Sequence, residues 1–151
     1  MPKFTFKLEP LFEYRQRLEE LSQKEFGEAL ARLKSEEEKI ENLKELYRKS
    51  GSEIDGLKES GAGAGEMELY HSYVAGLKGH IAEQERILSQ VRAAVEKKRG
   101  ELVEASRNRK VIELMKEKSL HTHNQKVDKQ EQKESDELNS RSFGRKDADE
   151  R

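Results

Sequence analysis

The side chains of this chain that could carry out chemistry are its many carboxylates and its four histidines. Carboxylates such as those of Glu36 to Glu38 act as general acids or bases where burial in a pocket shifts their pKa. The apolar pattern described below predicts a thin helical protein without such a pocket. No cysteine is present, which excludes disulfides, thiolate nucleophiles and cysteine-ligated metal. We therefore predict that the protein is not an enzyme.

The histidines and glycines do not form a metal-binding or cofactor-binding pattern. On a helix the side chains of His121 and His123 point about 200° apart, so they cannot chelate one ion from one face. His71 and His80 share a face, but no cysteine or further histidine lies close to them. A phosphate-binding loop needs a preceding strand and a lysine, and the run Gly61 to Gly65 has neither. We predict no metal, no cofactor and no catalytic residue.

Composition limits the kind of core that the chain can build. Only 32% of the 151 residues are apolar and 40% are charged, which is too little apolar surface for a wide globular core. The 30 basic and 31 acidic residues give a net charge of -1, so no overall field attracts nucleic acid or an anionic membrane. No stretch resembles a signal peptide or a membrane span. These features predict a soluble, cytoplasmic protein.

The first predicted helix covers residues of about 10–57. Both prolines, Pro2 and Pro10, precede or open the helical pattern, so nothing after them forces a break. Apolar residues then recur every three or four positions, with a slip of one residue before Phe26. The first row is Leu11, Tyr14, Leu18, Leu21, Phe26, Leu30 and Leu33, and a later row with the same spacing is Ile40, Leu43, Tyr47, Ser50, Ile54 and Leu57. A glycine-rich turn is predicted at 58–65, where Gly61, Gly63 and Gly65 disfavour a helix.

The second predicted helix covers about 66–138 and carries a more regular pattern. From Tyr70 to Ile112 its row steps by four and three in strict alternation, which is the repeat of a left-handed coiled coil. Gln84, Lys98 and Arg109 interrupt this row. We interpret them as polar positions that set the register between the helices.

Folding at the glycine turn places residue i opposite about residue 124 − i, so that Leu11 faces the region of Ile112. Both apolar rows therefore end together. This predicts an all-α fold, a single domain formed by a long antiparallel two-helix coiled-coil hairpin with a longer second helix and a disordered tail at 139–151. A parallel homodimer is the alternative, because heptads alone do not fix the oligomeric state. We favour the hairpin, and with it a monomer.

Two segments are candidates for binding other proteins. The amino-terminal run, residues 4–15, holds four of the chain's aromatic residues and an arginine, which are good interface anchors. Its alternative role is to cap the open end of the hairpin. The apolar row of the second helix forms the seam of the predicted coiled coil. Early in this helix, a row of residues beside the seam indicates a docking face, although partly buried flanking tyrosines are equally common. This docking row consists of Tyr73, Leu77, His80 and Gln84. Near the carboxyl terminus, the mixed charges of residues 131–143 by themselves predict only a solvated helix end.

Taken together, these segments resemble the FliJ family of flagellar type III export proteins over nearly the whole chain. The resemblance rests on three parts of the sequence: an amino-terminal motif, a carboxy-terminal signature of E-x-K-x-x-D-E followed by arginine, and the glycine-rich break between two coiled-coil segments. Ser135 stands where the family usually has an apolar residue. The matching residues are Phe6, Leu8, Leu11, Tyr14 and Arg15 at one end, and Glu131, Lys133, Asp136, Glu137 and Arg141 at the other.

The resemblance implies a non-enzymatic stalk similar to the gamma subunit of rotary ATP synthases. Such a stalk is expected to bind a ring of the export ATPase FliI through the open end, where both matching motifs converge. It is expected to contact the export gate protein FlhA through Tyr73, Leu77, His80 and Gln84, and to escort empty export chaperones. FliH is a further candidate partner. The location implied is cytoplasmic and peripheral at the inner membrane, through the export apparatus.

Three other functions compete with this one. The equivalent stalk of a virulence type III secretion system would differ only in its end motifs, and a generic coiled-coil scaffold would lack them. A nucleic-acid-binding coiled coil is suggested by the basic clusters Lys97 to Arg99 and Arg107 to Lys110. Acidic residues flank both clusters, and the overall charge is balanced, so we expect no nucleic acid among the partners.

Overall fold

A computed structural model describes the backbone of residues 2–149 and the side chains of residues 2–145. Two helices make up nearly all of this range: α1 (Glu9–Glu59) and α2 (Ala64–Asp149). The predicted all-α fold of two long helices joined by a glycine-rich turn is confirmed. Within the described residues, no helix is both long and apolar enough to cross a membrane.

Helix α1 begins at a turn that accommodates proline. The Glu9 amide donates to the Phe6 carbonyl at 3.1 Å, and the Phe12 amide donates to the Leu8 carbonyl at 2.9 Å. Pro10 lies between these donors in the first turn, where a missing amide hydrogen costs no helical hydrogen bond. The chain therefore enters α1 without strain, and the start lies next to the position that Pro10 predicts.

The turn between the helices has the hydrogen bonds of a Schellman motif. The Ala62 amide donates to the Leu57 carbonyl at 3.0 Å, and the Gly61 amide donates to the Lys58 carbonyl at 3.4 Å. Gly61 has a φ of 74°, a left-handed conformation that favours glycine. On the other side, the Gly63 carbonyl accepts from Met67 and opens α2. Gly61 is thus the glycine that the turn requires.

The chain divides into two compact units. The turn unit is Glu20–Glu104, and the terminal unit joins the residues up to Glu19 with those from Ala105 onward. In the turn unit the two helices pack antiparallel around a narrow core. Its buried apolar side chains are Ile40, Ile54, Leu77, Leu88, Val91 and Val95. In the terminal unit Ile112 is buried.

In the part of α1 before Ile40, the buried row differs from the predicted one. The residues facing α2 step by three and four without a slip, and all are at least partly buried. They are Phe12, Arg15, Glu19, Ser22, Phe26, Ala29, Leu33, Glu36 and Ile40. Tyr14, Leu21 and Leu30 lie outside this row and are 50%, 52% and 39% exposed. The predicted slip is wrong, because polar residues occupy positions in the row where apolar residues were sought.

Helix α2 continues beyond the predicted end near residue 138. It reaches Asp149, and its residues 128–145 are all exposed. The segment has no proline and is rich in residues that favour helices, so backbone hydrogen bonds hold it without a packing partner. Of the tail predicted at 139–151, residues 139–149 are helical, whereas Glu150 and Arg151 lie outside the described residues.

Candidate protein-interaction surfaces

The polar residues that interrupt the α2 row each meet a glutamate of α1. In the turn unit, the Gln84 amide nitrogen donates to the Glu36 carbonyl at 3.3 Å and to the Glu36 carboxylate. Both side chains are buried. The Gln84 hydrogen bond lowers the pKa of Glu36 against the opposing effect of burial, and the nearby cations Lys39 and Arg32 lower it further. The ionised form of the buried Glu36 carboxyl group is therefore favoured.

Lys98 and Arg109 form the same kind of pair. Lys98 donates to Glu25 at 3.1 Å and to Glu101 at 3.2 Å, and these hydrogen bonds raise its pKa. In the terminal unit, Arg109 donates to Glu19 at 2.7 Å, which raises its pKa as well. Because each polar residue finds its partner in one alignment of the helices, the pairs agree with the interpretation that they set the register.

The predicted docking row on early α2 is divided between the surface and the core. Leu77 and Gln84 are buried, with exposed fractions of 5% and 9%. Tyr73 is exposed, as is His80 seven residues later on the same side of the helix. The Tyr73 ring lies edge-on to Tyr70 with centroids 6.1 Å apart. The expectation of one exposed row is corrected, because the seam of the coiled coil takes two of its four members.

The amino-terminal run lies mostly against α2. Phe6, Leu8, Leu11 and Arg15 are partly buried, whereas Tyr14 is half exposed. The Arg15 Nε atom is buried without a hydrogen-bond partner among the described atoms. The run therefore both caps the helix pair and presents one aromatic side chain at the surface.

Two cross-helix contacts fix the start of α1 on α2. Lys116 approaches the Glu9 carboxylate at 2.8 Å, and its Nζ atom lies 5.1 Å from the centre of the Phe12 ring. This cation thus serves an ion pair and a cation–π contact at once. The contact strengthens the attachment of the first turn to α2.

Phe4 and His123 form a contact that the sequence pattern does not predict. Their ring centroids are 5.4 Å apart, and the His123 Nε2 atom lies 3.2 Å from the Pro2 carbonyl oxygen. The segment before α1 is thereby attached to α2 beyond the apolar row. Phe4, an apolar residue close before Phe6, was the available signal. Nothing in the sequence pattern marked His123 as its partner.

The carboxy-terminal signature is exposed along α2. Lys133, Glu137 and Arg141 follow one another at intervals of four residues, so these charges of alternating sign share one side of the helix. Glu131 lines a depression of about 240 Å³ together with Pro2 and Val127. Within the described residues no hydrogen bond or ion pair joins Lys133, Asp136, Glu137 or Arg141 to the amino-terminal run. The signature is available to a partner.

The other candidate chemistries gain no support from the geometry. Among the described residues no group of three or more His, Asp or Glu side chains is placed to hold a metal ion. Within the basic clusters, Arg99 pairs with Glu96 at 3.3 Å and lies over the Phe26 ring, in addition to the Lys98 and Arg109 pairs described above. Several cations that suggested nucleic-acid binding are thus engaged by carboxylates of the chain itself.

The fold and its surfaces define a class of protein: an all-α coiled-coil protein whose exposed aromatic residues and charged helix end are suited to contacts with other proteins. The chain belongs to the flagellar FliJ protein family, whose model matches residues 4–148. The match spans both helices and places the chain among the components of flagellar export. No curated protein and no solved structure matches it.

Proposed function

We propose that the protein is a non-enzymatic coiled-coil stalk that binds the ring of the export ATPase FliI and the export gate protein FlhA, and escorts empty export chaperones. The observation that carries the proposal is the family match over residues 4–148. The proposal assigns FliH as a further partner. It also places the protein in the cytoplasm, at the inner membrane only through these partners.

The terminal unit is proposed as the part that binds FliI. Tyr14 supplies an exposed aromatic ring next to the partly buried anchors Leu11 and Arg15. The charged row Lys133, Glu137 and Arg141 supplies a surface that a partner can recognise by charge. Phe6 and Leu8 are partly buried like Leu11 and Arg15, and they are assigned to the same binding end.

Early α2 in the turn unit is proposed as the part that binds FlhA. Tyr73 and His80 are the exposed members of the predicted row, so they are assigned the direct contacts. Leu77 and Gln84 are assigned an indirect role, because they are buried and hold α2 against α1. An aromatic side chain with a polar tip suits a surface that is wet before binding and buried afterwards.

Pull-down with purified FliI and FlhA tests both assignments on substitution variants of the full chain and on one truncated chain. Tyr14→Ala, or truncation after Asp128, should weaken FliI binding by about tenfold and leave FlhA binding unchanged. This truncation removes the carboxy-terminal signature but keeps the His123 contact. Tyr73→Ala should have the opposite selectivity.

Matched controls separate these contacts from general effects on folding. Tyr47→Ala removes another exposed tyrosine, and Leu30→Ala removes an exposed apolar residue of α1; neither residue belongs to a proposed binding surface, so neither variant should affect binding. Circular dichroism checks the helix content of each variant. If Tyr14→Ala and the truncated chain bind FliI as the unmodified protein does, the proposed ring-binding end is wrong. If Tyr73→Ala retains FlhA binding, the proposed gate-binding face is wrong.

A further inference from the structure

The residues that precede α1 lie on α2 beyond the point where α1 begins. Glu9, the first residue of α1, pairs with Lys116, so α1 does not cover the part of α2 that follows. The segment 2–8 covers it instead, since Phe4 contacts His123. His123 lies one heptad after Lys116 and so continues the spacing of the seam. A non-helical segment thus takes the place of a partner helix here.

The segment 2–8 has an alternating pattern of burial. Phe4, Phe6 and Leu8 are partly buried, whereas the residues between them are exposed. A period of two is that of an extended chain with one face on a surface. We name the segment 2–8 the strap.

Few interactions hold the strap on α2. Among the described residues, one polar contact joins the two, between the Pro2 carbonyl oxygen and His123 Nε2 at 3.2 Å. The depression of about 240 Å³ beside Pro2 and Val127 shows that the strap does not fill its seat. The Phe6 and Leu8 carbonyls accept their hydrogen bonds from amides of the first turn of α1. These bonds do not involve α2, so the strap can leave α2 while α1 keeps its start.

Partial burial of the strap gives the docked arrangement only a small advantage. Fixing the backbone of each residue costs conformational entropy, and half-covered side chains bury too little apolar surface to exceed that cost by much. A segment with few buried contacts and few hydrogen bonds opens locally while the rest of the fold stays intact. The strap has both of these properties.

We propose that the strap is a releasable cover that alternates between a docked and an undocked state. In the docked state it shields His123 and Val127 and keeps Phe4 and Phe6 partly buried. In the undocked state it exposes both the seam of α2 and its own apolar side chains. A protein that binds either surface selects the undocked state, so the strap regulates access to them. This inference does not rest on the proposed contacts with FliI or FlhA, because it concerns only the strap and α2.

Thiol labelling measures this release on the full chain, which has no cysteine of its own. Three variants each replace one valine: Val127→Cys where the strap meets α2, Val111→Cys at an exposed position of α2, and Val91→Cys in the buried core of the turn unit. The labelling rate of each variant with a maleimide is divided by its rate in urea. We expect Val127→Cys to react about tenfold more slowly than Val111→Cys and at least about tenfold faster than Val91→Cys.

A second substitution in the strap supplies the matched comparison. In the Val127→Cys chain, Phe4→Asp should raise the labelling rate to within about twofold of that of Val111→Cys, because it removes the ring contact with His123. Thr5→Asp alters an exposed residue of the strap and should leave the rate unchanged.

Three results would overturn the proposal. If Val127→Cys reacts as fast as Val111→Cys, the strap is not docked. If it reacts as slowly as Val91→Cys, the cover is permanent and not releasable. If Phe4→Asp leaves the rate at Val127→Cys unchanged, the protection does not come from the strap.

Discussion

At the scale of single residues, the polar pairs between the helices explain how a thin core specifies one alignment. A slip of one heptad would leave most apolar contacts possible, since leucine, isoleucine and valine recur along both rows. It would also place Gln84 opposite Leu43 and bring Lys98 close to Arg32. The first change leaves a buried amide unpaired, and the second brings like charges together. The pairs therefore favour the observed register by penalising the alternatives.

The buried carboxylate of Glu36 predicts a specific dependence of stability on pH. Because the pKa of Glu36 is lowered in the folded chain from its ordinary value of 4.5, its ionised form contributes stability above that pH. This contribution is lost as the pH falls through the folded-state pKa. Glu36→Gln should therefore lower the urea midpoint at neutral pH, and its difference from the unmodified protein should shrink in acid.

The control for this measurement is Glu38→Gln, which removes one exposed carboxylate from the same helix. Its urea midpoint at neutral pH should stay close to that of the unmodified protein, because the residue has no seam partner. A Glu36→Gln deficit that persists unchanged below pH 4.5 would contradict the role assigned to the ionised carboxylate.

At the scale of helices, the sequence predicts α2 better than α1. The α2 row is apolar enough that its steps of three and four are visible despite Gln84 and Lys98. In α1 the equivalent row passes through Arg15, Glu19 and Glu36, so a search for apolar residues selects exposed neighbours instead. Whether a charged residue belongs to a seam depends on its partner across the helix pair. That partner becomes visible only when both helices are aligned.

The candidate interaction sites show the same limit. The sequence places Leu77 and Gln84 both in the seam and in the docking row. Their burial shows that they belong to the seam. The contact of Phe4 with His123 joins residues far apart in the sequence without any repeating pattern. Periodicity predicts which residues share a face of a helix. It does not predict an isolated contact made by a non-helical segment.

The turn predicts opposite effects for two glycine substitutions. Gly61→Ala should destabilise the protein by about 1 kcal/mol, because alanine is strained at the positive φ of this position. Gly56→Ala should stabilise it by about 0.5–1 kcal/mol, since Gly56 lies inside α1 and an added methyl group meets no atom within 4 Å. Urea denaturation of both variants checks the signs. Destabilisation by both would show that α1 does not extend through Gly56 in solution.

At the scale of the whole molecule, the polar residues of the seam find their partners within one chain. Every polar interruption of the α2 row has its glutamate on α1 of the same chain. A parallel homodimer would instead place Lys98 beside its own copy, and likewise Arg109, so that like charges face each other. The intramolecular pairing therefore predicts a monomer of 17.5 kDa, which leaves the exposed surfaces free for other proteins.

Cross-linking distinguishes the monomer from the dimer because the chain contains no cysteine of its own. In the double variant Glu25→Cys with Lys98→Cys, a short bismaleimide should join two positions whose native side chains lie 3.1 Å apart. The product should run on a denaturing gel as a monomer with altered mobility. Lys98→Cys alone should give no cross-linked species, whereas in a parallel dimer it would give a covalent dimer, since equivalent seam positions meet there. Formation of that dimer at low protein concentration would contradict the intramolecular hairpin.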